Sequence, residues 1–234
     1  MRPRPRVDAG KGGDVVTEPQ ETWADPSPAG LFAVGAGTTA VWAVLTGRAG
    51  PHDAGIFVVW LLAAGLLQLL VGLVHLRRGD PTGGSLNLAF GVLFFGAPAA
   101  TSAVLSGGAA AGAPAATLVI NGWIFLLLGV VLAAFVPVVA RQSALLVLAL
   151  GIFTGAVFLL ALLNLHSPAE QQQAPWPVVA WSAGWLIGGA GLLMVYLGIA
   201  TAWLHAFGRS VLPVPGPLGG AAAPTAPATP SPRR

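Results

Sequence analysis

The chain has 234 residues, 55% of them apolar and only 8% charged. Soluble domains carry about a quarter charged residues, so a soluble globular domain is excluded and a polytopic membrane protein is expected. There is no cysteine, which removes disulfides and thiolate metal sites, and the formal charge of +3 is carried in loops and tails, where it reports topology rather than a nucleic-acid partner.

Residues 1–24 mix Arg2, Arg4, Arg6 and Lys11 with Asp8, Asp14, Glu18 and Glu21 among glycines and prolines, and read as a disordered tail. No apolar run follows the arginines closely enough for a secretory signal. The stretch Asp25 to Leu31 opens the membrane sequence. Its prolines, Pro26 and Pro28, fit a first helical turn, with Asp25 as the N-cap. Such a start leaves free amides and a positive dipole end, which attract small anions.

Six apolar segments follow, at 30–46, 54–76, 85–106, 115–140, 143–165 and 177–204, and none holds Asp, Glu, Lys or Arg. Twenty helical residues cover roughly 30 Å, so five span comfortably. The first is short and glycine-rich, and a distortion is expected there. The predicted architecture is all-α: six transmembrane helices over 25–213, flanked by a tail at 1–24 and a Pro/Ala-rich tail at 214–234, both disordered.

Six spans put both tails on one side with the second and fourth loops. That side holds Arg2, Arg4, Arg6, Lys11, Arg77, Arg78, Arg141, Arg209, Arg233 and Arg234, and the other holds Arg48 alone. The asymmetry predicts cytoplasmic termini.

No catalytic or cofactor-binding constellation is visible: no intramembrane carboxylate pair, no HExxH, no phosphate loop. The chain reads as a non-enzyme, and the uncharged bundle points to a path for small solutes. Gln68, Asn87, Asn121 and Asn164 carry primary amides that one helix cannot fully satisfy, so they face protein or water. Small-residue pairs at Ala33/Gly37, Gly151/Gly155 and Gly184/Gly188 suit close helix approach. His75 and His205 sit at the ends of two spans and are candidate proton-responsive groups.

Several of these pieces together resemble the acetate uptake transporter family, of the bacterial succinate–acetate permease type. Its opening Asn-Pro-Ala-Pro-Leu-Gly-Leu is matched by Asp25 to Leu31, with Thr38-Thr39 closing the first helix. The second helix matches at Gln68, Gly72-Leu73 and Arg77-Arg78-Gly79, and the sixth at Ala183-Gly184-Trp185, Tyr196-Leu197 and Phe207 to Pro213. The resemblance implies a homo-hexamer of six-helix protomers in the inner membrane, each with its own path for acetate and similar small monocarboxylates, commonly with proton coupling. It implies a constriction at Val34 or Gly35, Phe90 and Phe153, on a path that also includes Asp25, Pro26, Pro28, Gln68, Asn87 and Asn164. The chain departs from the family in having Asp25 for an asparagine, His75 for an acidic residue, and no aromatic at the helix-one constriction. A urea or short-amide channel and a non-transporting membrane subunit are the alternative readings.

Overall fold

A computed structural model describes residues 23–110 and 118–218; the chain before 23, the stretch 111–117 and the chain after 218 lie outside the described residues. The described residues are helical apart from short links, and six helices are long and apolar enough to cross a membrane. The chain is a multi-pass membrane protein with an all-α bundle. Helix α1 covers Ser27–Leu45 and α2 covers Ala54–Arg77 after one 3-10 turn. The third span is composite: α3 (Pro81–Ala89), a π-helical segment (Phe90–Gly96) and α4 (Ala97–Ala110). Then come α5 (Val119–Val139), α6 (Ala144–Asn164), a one-turn helix α7 (Pro168–Gln171) and α8 (Trp176–Phe207). The link expected at 107–114 falls partly outside the described residues.

The ends follow from local chemistry. Asp80 accepts from the Gly83 amide at 2.9 Å and Pro81 supplies the first helical residue, so α3 starts where a cap and a fixed φ coincide. Ser143 caps α6 by accepting from the Leu145 amide at 3.2 Å. Gly208, at φ +64°, ends α8 in the left-handed region that glycine adopts without a Cβ clash.

The expected distortion of the first span is not found: α1 is a regular helix of 19 residues. Its glycines serve close packing instead. A Cβ on Gly30 would meet Val71 at 2.9 Å, and one on Gly37 would crowd Phe95 and Ala64. The irregular backbone is in the third span. Pro98 has no amide to offer the Phe94 carbonyl and its ring crowds that group, and the turn is wide just before it. Gly91 and Gly96 bracket the wide turn, and Gly65 of α2 approaches it so closely that an added Cβ would lie 3.0 Å from the Gly91 carbonyl.

The small-residue pairs divide. Gly184 and Gly188 pack on α1, where added Cβ atoms would lie 2.9 Å from Thr46 and 2.7 Å from Trp42. Gly151 and Gly155 have open space where a Cβ would sit, so this pair does not bring two helices of this chain together. The buried core runs through the middle of the bundle, with Phe95, Phe153, Leu128, Leu132 and Ile187 almost wholly enclosed. Outward-facing residues such as Val59, Leu66, Leu70, Ile120 and Leu192 are exposed and apolar, as a lipid-facing surface requires.

Candidate functional site

A cavity of about 300 Å³ opens on the face that carries the described ends of the chain. It is walled by the start of α1 (Ser27, Gly30, Leu31, Val34), by Gln68 and His75 of α2, and by Thr82, Gly83, Leu86 and Asn87 of α3. Val139, Ser143, Leu146 and Leu150 close it from the α5–α6 corner, and Met194, Leu197 and Thr201 close it from α8. At this size it stands at the small end of ligand cavities, roughly 300 to 1,000 Å³. Its wall is mostly apolar, and no lysine or arginine lines it.

Phe90 forms part of the wall, at the first residue of the π-helical segment. Its ring packs on Phe153 at 4.9 Å between centroids, Phe94 packs on Phe153 at 4.7 Å, and Phe95 and Phe125 extend the cluster. Phe153 is fully buried and does not line the cavity. The cluster therefore lies inward of the cavity as an aromatic block, built by α6 and by the wide turn that brings Phe90, Phe94 and Phe95 together. Phe94 and Phe95 are invisible to sequence reasoning as parts of one block, because α-helical spacing does not put all three on one side.

The residues expected from the sequence fall into three places. Val34, Gln68, His75, Asn87 and Phe90 line the cavity, and Phe153 lies against its Phe90 wall. Asp25, Pro26 and Pro28 are at its rim, and His205 sits beside Asp25. Gly35 and Asn164 lie elsewhere. Gly35 faces α8, where a Cβ would crowd Val195, so Val34 is the α1 residue at the cavity. Asn164 ends α6 on the opposite face and donates to the Leu160 carbonyl at 2.8 Å. Ser143 and Val214 are lining residues that sequence reasoning missed.

The rim is held by charge. Asp25 is not the N-cap, which is Pro26. It stands one residue earlier, and its Oδ1 accepts from the Ser27 amide at 3.0 Å and the Ser27 hydroxyl at 2.6 Å. The same oxygen accepts from Arg78 at 3.2 Å, and Oδ2 lies 3.7 Å from His205 Nε2. Burial pushes the Asp25 carboxyl up, but the Ser27 bonds and the Arg78 charge, with a smaller contribution from His205 nearby, outweigh it and hold it below its ordinary value. His75 Nδ1 pairs with Asp80 Oδ2 at 2.8 Å, while Asp80 Oδ1 caps α3. A positive charge on either histidine is thus met by a carboxylate of the protein.

Among the described residues, one buried side-chain polar atom is left over. Gln68 is fully buried and its Nε2 donates to the Gly30 carbonyl, 38 residues away in the chain. Its Oε1 has no hydrogen-bond partner.

The segment after α8 also reaches the site. Tyr196 donates to the Pro213 carbonyl at 2.8 Å, Ser143 to Pro215 at 3.2 Å and the Ala144 amide to Gly216 at 3.1 Å, while the Leu218 amide donates to Ala140 at 2.9 Å. Val214 lines the cavity. The stretch expected to be tail therefore bonds to the bundle at Pro215, Gly216 and Leu218.

The chain matches no family model and no curated protein. Among solved structures it is similar to the bacterial acetate channel SatP, with a TM-score of 0.68 and 22% sequence identity over 82% of this chain and 99% of that one. This is the acetate-channel fold. The likeness runs over almost the whole of that protein, so all six spans share one arrangement.

Proposed function

We infer that the protein is a membrane channel or permease for acetate and similar small monocarboxylates. The observation that carries this is the small cavity, apolar and free of lysine and arginine, that ends on an aromatic block. It sits within the fold of a protein described as an acetate channel. The path runs from the rim at Asp25, Pro26 and Pro28 past Val34, Gln68 and Asn87 to a gate at Phe90 and Phe153. The block is closed in this state, so passage requires the rings to turn or the π-helical turn to shift, as such turns often do at functional sites. The excess of basic residues on the cavity face supports a cytoplasmic position for that face and both termini, with the protein in the inner membrane. The exposed apolar faces suit contact with lipid and with other protomers of a homo-hexamer. Proton coupling, with His75 and His205 as responsive groups, belongs to the same reading, each histidine acting through its partner carboxylate.

Flux of labelled acetate and of labelled urea into proteoliposomes tests this. Acetate flux above that of empty vesicles is expected. Urea flux without acetate flux would mark an amide channel, and flux of neither would leave a membrane subunit without a transport role.

A further inference from the structure

We propose that the end of the bundle opposite the cavity holds an anionic phospholipid, its headgroup phosphate on Arg48 and an acyl chain along α8. This goes beyond the function proposed above and does not depend on it. Arg48 is placed by the end of α1. Gly47, at φ +73°, reverses the chain, and the Arg48 and Ala49 amides return to the Ala43 carbonyl at 2.8 and 3.0 Å. The side chain is thereby laid back on the helix, with its guanidinium carbon 4.5 Å from the centre of the Trp42 ring and 5.1 Å from that of Trp185. These two rings meet edge to face at 5.6 Å, and Trp181 continues the row at 5.8 Å from Trp185. Ring faces stabilise a guanidinium but accept none of its in-plane hydrogen bonds.

Among the described residues, the Arg48 side chain has no hydrogen-bond acceptor and no ion pair. The described carboxylates of this end are Asp53 and Glu170. Each has an oxygen on an amide of its own link, Gly50 at 2.8 Å and Ser167 at 2.7 Å. A guanidinium fork held on aromatic rings, at the level where a membrane helix ends, fits a lipid phosphate, which offers paired oxygens and a negative charge. The surface below fits the rest of that molecule. Trp181, Trp185, Gly189 and Leu192 are exposed on one stripe of α8, and a Cβ on Gly189 would meet nothing. From Trp181 to Leu192 the helix rises about 16 Å, roughly half the hydrocarbon thickness, so the stripe is as long as one leaflet is deep. A second copy of the chain could cover the stripe, but it would also have to bring an acceptor to Arg48. A lipid brings the phosphate and the chain together.

Photoactivatable phosphatidylglycerol and phosphatidylethanolamine, each with the reactive group in its acyl chain, test this in proteoliposomes of the full chain, with the label mapped by peptide mass spectrometry. Phosphatidylglycerol, the anionic lipid, should label α8 between Trp181 and Leu192 about fivefold more than the zwitterionic one. Arg48→Gln should bring the phosphatidylglycerol label down to the phosphatidylethanolamine level. Arg48→Lys, which keeps the charge without the fork, should fall between Arg48→Gln and wild type. Arg209→Gln, beyond the other end of α8, should label as wild type does. Equal labelling by the two lipids in the wild-type protein would overturn the proposal and leave a surface that lipid merely wets. No label on the stripe from either lipid would overturn it in favour of a second copy of the chain. A phosphatidylglycerol preference that survives in Arg48→Gln would take the headgroup away from Arg48. Should Arg48→Gln fail to fold, the wild-type protein and Arg48→Lys decide, with unlabelled phosphatidylglycerol expected to compete the label away where unlabelled phosphatidylethanolamine does not.

Discussion

The charge at Asp25 is where this chain departs from the asparagine of the family it resembles, and its environment explains how a carboxylate is held at the rim of the cavity. The side chain works inward, on Ser27, Arg78 and His205, and not outward on the solute. That a negative residue stands at the start of the first span was readable from the chain order. Its partners were not, because Arg78 and His205 come from other spans and no local pattern announces such pairing. Because the folded carboxyl lies below its ordinary 3.8, the interactions that depend on its charge are complete above that value and are lost as pH falls through the lower folded value. Asp25→Asn should therefore lower stability slightly, by about 1 kcal/mol or less for a partly exposed pair. Thermal melts should show the variant below wild type by a constant margin from pH 5 to 7, and the margin should close below pH 3.8. A margin that disappears between pH 5 and 7 would show that another group carries the rim.

At the scale of elements, the spans were legible because apolar runs without charge have one physical solution in a bilayer. The irregular span was misplaced because glycine content signals two different things. In α1 the glycines admit neighbouring side chains, whereas in the third span Gly91, Gly96 and Pro98 widen a turn. That turn gathers Phe90 and Phe94 against Phe153 and Phe95 against Phe90 and Phe94, so the aromatic block and the distortion are one feature. Phe153→Ala removes a fully buried ring and should cost roughly 3 to 5 kcal/mol. If the block closes the path, the variant should also pass acetate faster and admit longer acids, read by flux with chain-length competition. Unchanged flux and selectivity in a folded Phe90→Ala/Phe153→Ala protein would make the cluster a core and nothing more. The glycine pairs give a second contrast. Gly188→Leu must displace Trp42 and should cost about 1 to 3 kcal/mol, whereas Gly155→Leu meets open space within the chain. Melting of the two variants side by side separates them. An equal loss from Gly155→Leu would place that face against another chain.

The whole molecule has two unlike faces, and the difference is what the sequence could and could not convey. The six-span count and the one-sided distribution of arginine are sums over the chain and survive any local error. The closure of the cavity by the segment after α8 was hidden, since a run such as Leu212-Pro213-Val214-Pro215-Gly216 has no periodicity and reads as tail. Its order comes from partners far away in the chain: Ser143 and Ala144 at the start of α6, and Ala140 at the end of α5. Proline suits this role, because an extended segment that lacks amides leaves fewer donors to satisfy while its carbonyls still accept. Truncation after Pro213 removes the bonds at Pro215, Gly216 and Leu218 and takes Val214 from the cavity wall. Three such bonds together are worth about 2 kcal/mol, enough to lower the melting temperature by roughly 5 °C. The bond from Tyr196 to the Pro213 carbonyl is retained, so α8 itself should stay anchored. Truncation after Leu218 keeps every one of these contacts and should melt like the full chain. If the two truncations melt alike, the segment rests on the mouth without holding it. If only the shorter chain loses stability and its acetate flux rises, the segment from Val214 to Leu218 is part of the wall through which the solute enters.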